Sequence, residues 1–184
     1  MFFKSFSWLG DHSKYRKDYE RLGVDFIAPY DVDKTRVNWW FGNFYLQAFR
    51  LPHGDISSWG ALIRHKNGET LLFATDYEYN PFIFKACKVE HFLVECNYQP
   101  QYVDIDAPNK SHKLGAHCSL PTCKKFLKEN YTDYMSNVLL IHLGKGSTNP
   151  KECIEEIKKE LTGVNVDYAR KNTVYELKRK GDAI

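Results

Sequence analysis

The chain has 184 residues, of which 43% are hydrophobic and 27% charged, with a net charge of +3. A chain of that length buries about 70% of its unfolded surface and needs no disulfide or metal staple for its core. Its composition is that of an ordinary globular protein, which excludes collagen-like, low-complexity and disulfide-scaffold classes.

In chain order, residues 12–22 (HSKYRKDYERL) are good helix formers and close on Gly23, a helix C-terminal signal. Val24–Ala28 is a short apolar strand stopped by Pro29. Two strands follow over 37–50 with a turn at Gly42-Asn43, and Leu51–Asp55 is a loop at a strand end. Ala61–Arg64 and Thr70–Ala74 form a hairpin around Lys66-Asn67-Gly68. Phe92–Cys96 is an apolar strand, and 99–116 is polar and irregular, as a substrate-side loop would be. Ser119–Asn130 is a helix capped by Ser119 or Thr122, and Val138–Leu143 is a buried strand. Pro150–Thr162 is an amphipathic helix ended by Gly163. Val164–Ala169 and Thr173–Leu177 form a last pair of strands. Strands and helices mix throughout without a repeat, so the fold class is α/β or α+β, built in layers as one domain over 1–184.

Basic residues collect at the C-terminus (Arg170, Lys171, Lys178, Arg179, Lys180), a mildly basic tail rather than a nucleic-acid footprint. A local field can still suit a phosphate-bearing substrate. No apolar run approaches the roughly 20 residues that span a bilayer, and Lys4 and Gly10-Asp11 end the Met1-Phe2-Phe3 start too early for a signal peptide. The five cysteines form no CxxC pair, so free thiols and a cytoplasmic location are expected.

Layered α/β folds carry their chemistry on polar residues just beyond strands. Five places qualify: Asp11-His12 before the first helix, His53, Asp76, Glu95-Cys96-Asn97, and His142. His and Asp are the usual ligands of zinc and similar ions, though no single spacing here is diagnostic. The remaining histidines read as bland: His65 as a hairpin tip, His91 as a surface residue flanking a strand, and His112 as part of a solvated Lys-Ser-His-Lys run, with contact to a phosphate as the alternative. Cys118 beside His117 is not a nucleophile–base pair, because neighbours on an extended segment point to opposite faces. Gly144-Lys145-Gly146-Ser147 lacks the spacing of a nucleotide-binding loop.

Taken in order, the segments resemble the metallo-β-lactamase superfamily, and within it the bacterial and phage hydrolase branch. Ser7-Trp8-Leu9-Gly10-Asp11-His12 aligns with the family's HxHxDH motif, with both leading histidines replaced. His53 sits where the family's third histidine sits. Phe73-Ala74-Thr75-Asp76 matches the segment with the metal-bridging aspartate, Leu140-Ile141-His142-Leu143 the last histidine motif, and Gly115-Ala116-His117-Cys118-Ser119 a GHxS segment near the substrate.

The resemblance implies a layered αββα sandwich missing its opening strands, an uncovered sheet edge, and hence a homodimer. It also implies loss of one metal site, since Leu9 cannot bind an ion and Ser7 is a poor ligand. The other site survives as Asp11, His12, Asp76 and His142, holding one Zn2+ (or Mn2+ or Fe2+) per chain. His53 becomes a proton shuttle or weak second-site ligand, and His117 contacts a substrate oxyanion. Asp11, His53 and His117 are thus the implied catalytic residues, and a small phosphorylated or ester substrate is the implied target of a mononuclear hydrolase. The alternative is a catalytically inactive homologue that binds a ligand or protein partner in the same cleft. An unrelated interaction domain using the aromatic segment at Trp39-Trp40 is a third reading.

Overall fold

The computed structural model describes residues 36–108 and 110–181, together with Arg21. The helix expected over 12–22 (Arg21 apart, which is helical), the strand expected over 24–28, and Asp11 and His12 therefore lie outside the described residues.

Seven strands form one sheet in chain order: β1 (Arg36–Phe41), β2 (Phe44–His53), β3 (Ile56–His65), β4 (Thr70–Ala74), β5 (His91–Glu95), β6 (Asn137–Ile141) and β7 (Asn165–Tyr168). The first four are an antiparallel meander. Its tight turns at Gly42, Gly54 and Gly68 all have positive φ, which only a residue without Cβ adopts freely. From β4 onward the pairing is parallel, which demands crossovers. The β5–β6 crossover carries α1 (Lys110–Ala116) and α2 (Leu120–Asn130), and the β6–β7 crossover carries α3 (Pro150–Glu160).

Because β2 and β4 are each antiparallel to β3, strands β2, β4, β5, β6 and β7 all run in one direction. Their carboxyl ends share one rim of the sheet. Register then puts Ala74 beside Val94, and Glu95 beside Ile141. The residues that end or follow β2, β4, β5 and β6 are His53, Asp76, Glu95 and His142.

The main core lies between one face of the sheet and the helices. Phe92, Val94, Val138, Leu140 and Val166 meet Cys123, Phe126 and Leu127 of α2, and Cys153 and Ile157 of α3. Those helix positions recur every three or four residues, the spacing of one buried stripe. The Ser119 hydroxyl caps α2 by accepting from the Thr122 N–H at 3.2 Å, and Asn149 caps α3. A second cluster (Leu46, Ala48, Trp59, Ala61) occupies the opposite face of β2 and β3. The described residues thus supply one sheet and one helical layer of the expected sandwich.

Several readings are corrected. The 99–116 segment is not irregular throughout but contains a 3-10 turn (Pro100–Tyr102) and α1. Thr173–Leu177 forms no strand. That tail instead crosses the opposite rim, where the Lys178 carbonyl accepts from the Asn137 amide at 2.6 Å. His91 is not a surface residue: it is buried, bonded to Glu69 at 2.9 Å and to Asn137 at 2.9 Å. All five cysteines are free. Among the described residues no helix is long and apolar enough to cross a membrane.

The ring of Phe49 lies over Gly60, its cross-strand neighbour, so a Cβ added there would sit 2.6 Å from Phe49 Cζ. Gly60→Ala should therefore destabilise the fold by about 1–3 kcal/mol through overpacking. A urea titration checks it, with a lower midpoint and an unchanged slope expected.

Candidate active site

Glu95 ends β5 directly after the apolar run Phe92–Val94, and is fully buried at 0% exposure. A buried carboxylate needs partners for both oxygens, and this one has them. Oε1 accepts from His117 Nδ1 at 2.7 Å. Oε2 faces His142 Nδ1 at 3.1 Å and accepts the backbone N–H of Asp76. Burial pushes the Glu95 carboxyl pKa up, but hydrogen bonds from His117 and His142 outweigh it and hold the group below the usual carboxylate range. The bond to Glu95 in turn raises the pKa of His142 against partial burial, with Asp76 adding to the pull.

Asp76 and His142 both have φ of 52°. Neither is glycine, so each is held in a sparsely populated backbone region, as residues at functional sites often are. The local reasons are visible. The Asp76 N–H is turned onto Glu95, and the His142 carbonyl accepts from the Asn97 amide at 2.9 Å. Asn97 is itself fixed by its own N–H on the Cys118 carbonyl and by the Gly144 N–H on its carbonyl, each at 2.8 Å.

Four histidine rings line the cleft above this carboxylate. His53, His117 and His142 follow in sequence, with ring centroids 4.9 and 5.1 Å apart, and His112 packs against His53 and His117 at 5.5 and 5.3 Å. His53 Nδ1 donates to the Ala116 carbonyl at 2.7 Å. Since a carbonyl only accepts, that bond fixes the tautomer and leaves Nε2 as the open nitrogen. The same logic applies to His117, whose Nδ1 is bonded to Glu95, while His142 Nδ1 faces Glu95 at 3.1 Å and Asp76 at 3.5 Å.

Two groups of donor atoms result, with atoms in each lying within 4.8 Å of one another: Asp76, Glu95, His117 and His142; and His53, His112 and His117. Three of the sequence-derived candidates (Asp76, His142, His117) thus meet at one place, with His53 beside them. Asp11 and His12 lie outside the described residues. Glu95 was singled out by position only, and its role as the shared anchor was not. Its one signal is a charged residue closing an otherwise apolar strand. His112 is exposed, as expected for its polar run, yet its ring belongs to the cleft. Cys118 is buried in the main core while His117 faces Glu95, so the two diverge as the extended-segment argument requires.

The donor set fits a divalent ion. Imidazole nitrogens backed by a carboxylate or carbonyl are the usual form of metal-ligating histidine. Glu95 has both oxygens engaged within the protein and serves as that backing partner, whereas Asp76 is 44% exposed and His142 41% exposed.

No family model matches the sequence, and no curated protein matches it. Solved structures do match. The metallo-β-lactamase fold protein YhfI from Bacillus subtilis superposes with a TM-score of 0.62 at 17% identity, over 92% of this chain and 63% of its own. A diphosphatase from the PhnP family superposes with a TM-score of 0.51 at 10% identity, over 94% of this chain and 58% of its own. The chain therefore has the metallo-β-lactamase fold, and spans about three fifths of the length of these two structures.

A pH experiment isolates the anchor. Glu95 has a lowered pKa, so its contribution to stability is present above its unfolded value of about 4.3 and is lost as pH falls through the folded value. His142 has a raised pKa, so its contribution is full below about 6.5 and is lost as pH rises through the folded value. Chelator-treated protein should thus gain most from this pair between about pH 4.3 and 6.5. Thermal melts should show wild type losing stability from that window toward alkaline pH. Glu95→Gln should be less stable within the window by about 1–3 kcal/mol and should show a flatter profile.

Proposed function

We propose that the chain is a metal-dependent hydrolase of phosphodiesters or related small esters, in which His117, held by Glu95, protonates the leaving group. The observation that carries this reading is the buried Glu95 carboxylate bonded to His117 Nδ1 at 2.7 Å. A carboxylate behind an imidazole orients the ring, selects its tautomer and stabilises its protonated form, as general acid catalysis requires.

Asp76 and His142, together with Asp11 and His12, are the residues that would hold one ion of the zinc, manganese or iron type. Such an ion supplies Lewis acidity and a more acidic water at neutral pH. The protein's own groups do the rest. Glu95 holds His117 through Nδ1, which leaves Nε2 open, and contacts His142 Nδ1 at 3.1 Å. Water attacks the phosphorus or carbonyl centre and gives up a proton to His53 Nε2. As the bond to the leaving oxygen breaks, His117 Nε2–H gives that oxygen its proton, and the ionised Glu95 compensates the charge on the ring before transfer. His53, its Nδ1 tied to Ala116, stands 4.9 Å from His117 ring to ring and can relay the proton that restores it.

The fold of the two solved structures supports this reading, and one of them is a diphosphatase. Ser7 and Leu9 in place of the family's leading histidines favour the second reading, a homologue that keeps the cleft and binds a ligand without turnover.

Two substitutions separate them. With metal-loaded full chain, His117→Ala should lower hydrolysis of a diester with a poor alkoxide leaving group by about 10²–10⁴-fold. It should spare bis(p-nitrophenyl) phosphate, whose leaving group needs no proton. Asp76→Ala should reduce bound metal and abolish hydrolysis of both. Equal losses for the two esters with His117→Ala would sink the acid role, and no turnover of either by wild type would favour the binding protein.

A further inference from the structure

The second donor group, His53, His112 and His117, is not the set implied by the resemblance, which relies on Ser7 and Leu9 positions that carry no imidazole. We propose that these three histidines form a separate cation site, selective for a borderline-soft divalent ion of the Zn2+ class. Three neutral imidazoles suit zinc, copper, nickel or iron rather than magnesium or calcium, which take oxygen ligands. Three protein ligands with the fourth position open is also the usual form of a reactive zinc site.

Two of the three ligands already have the backing that metal-ligating histidines usually have. His53 Nδ1 is spent on the Ala116 carbonyl at 2.7 Å, and His117 Nδ1 on the Glu95 carboxylate at 2.7 Å. Both rings therefore offer Nε2, from different elements: His53 from the end of β2, His117 from the residue just past α1. These elements are in contact, since a Cβ on Gly54 would lie 3.5 Å from Ala116 Cβ. His112, from α1 itself, closes the set, with its ring 5.5 Å from His53 and 5.3 Å from His117.

The ligand atoms of the three lie within 4.8 Å of one another, and tetrahedral Zn–N bonds would set them about 3.4 Å apart. His112, an exposed side chain on a short helix, is the ligand free to adjust, whereas His53 and His117 are held by their bonds to Ala116 and Glu95. Neither Asp76 nor His142 enters the set, so the site stands whether or not the chain hydrolyses an ester. At His117 Nε2 an ion and a proton are alternatives, because both need the same lone pair.

The test is a calorimetric titration of chelator-stripped, untagged full chain with Zn2+, comparing wild type, His112→Ala and Asp76→Ala. His112→Ala removes only an exposed side chain, and thermal melts of the metal-free proteins confirm that it folds. Expected is a binding event that His112→Ala weakens by at least about tenfold to a hundredfold and Asp76→Ala leaves in place. A parallel Co2+ titration should give visible ligand-field bands in wild type and Asp76→Ala that His112→Ala diminishes. Unchanged zinc affinity and stoichiometry in His112→Ala would overturn the site. Equal loss of all binding in both variants would also overturn it, by showing one ion shared across the whole cleft. The hydrolytic reading fails on different data, the ester assays with His117→Ala and Asp76→Ala.

Discussion

Everything at the cleft is arranged around one buried carboxylate. Glu95 is a charge without water, and such a group is tolerated only when its lone pairs are met by donors. Its donors come from three places far apart in sequence: the Asp76 backbone after β4, His117 after α1, and His142 after β6. Satisfying the charge therefore fixes the relative positions of three strand ends and a helix exit. The same bonds decide which nitrogen of each ring is spent. Desolvation and function are met by one set of contacts.

The sheet makes this possible by direction. Five strands run the same way, so the residue ending or following each reaches the same rim. Parallel pairing from β4 to β7 requires crossovers, and the β5–β6 crossover is long enough to carry a helix back over the rim. α1 owes its place to that crossover, and His112 and His117 owe theirs to α1. Asn97 then braces the far side by holding the His142 carbonyl, where a positive φ would otherwise have no evident support.

How much of this the sequence revealed follows from the range of the signals. Strands and helices with strong local patterns are legible: the turn at Gly42-Asn43, the hairpin at Lys66-Asn67-Gly68, a cap at Ser119 or Thr122, and the amphipathic helix that starts at Pro150. Asp76, His142 and His53 could be picked out because polar residues after apolar strands are locally conspicuous. His91 was not, because its burial depends on Glu69, Asn137 and the tail crossing near Lys178, none of which local pattern reports. Thr173–Leu177 has strand-forming residues but adds no strand to the sheet, and the tail beyond it is held at the opposite rim by the Lys178 carbonyl on Asn137. The role of Glu95 was hidden for the same reason: nothing near it in sequence says that two histidines and an N–H converge on it.

His112 and His117 show where local reasoning stops for a site. Five residues apart, they match neither the helical nor the strand period, so no pattern pairs them. They meet because α1 ends between them at Ala116, whose carbonyl is taken by His53. That single bond orients His53 and ties the helix end to β2. The residues that resemble the missing half of a metal site are absent at Ser7 and Leu9, while three imidazoles stand together on another part of the chain. His117 belongs to both donor groups, and its bond to Glu95 ties the two to one anchor.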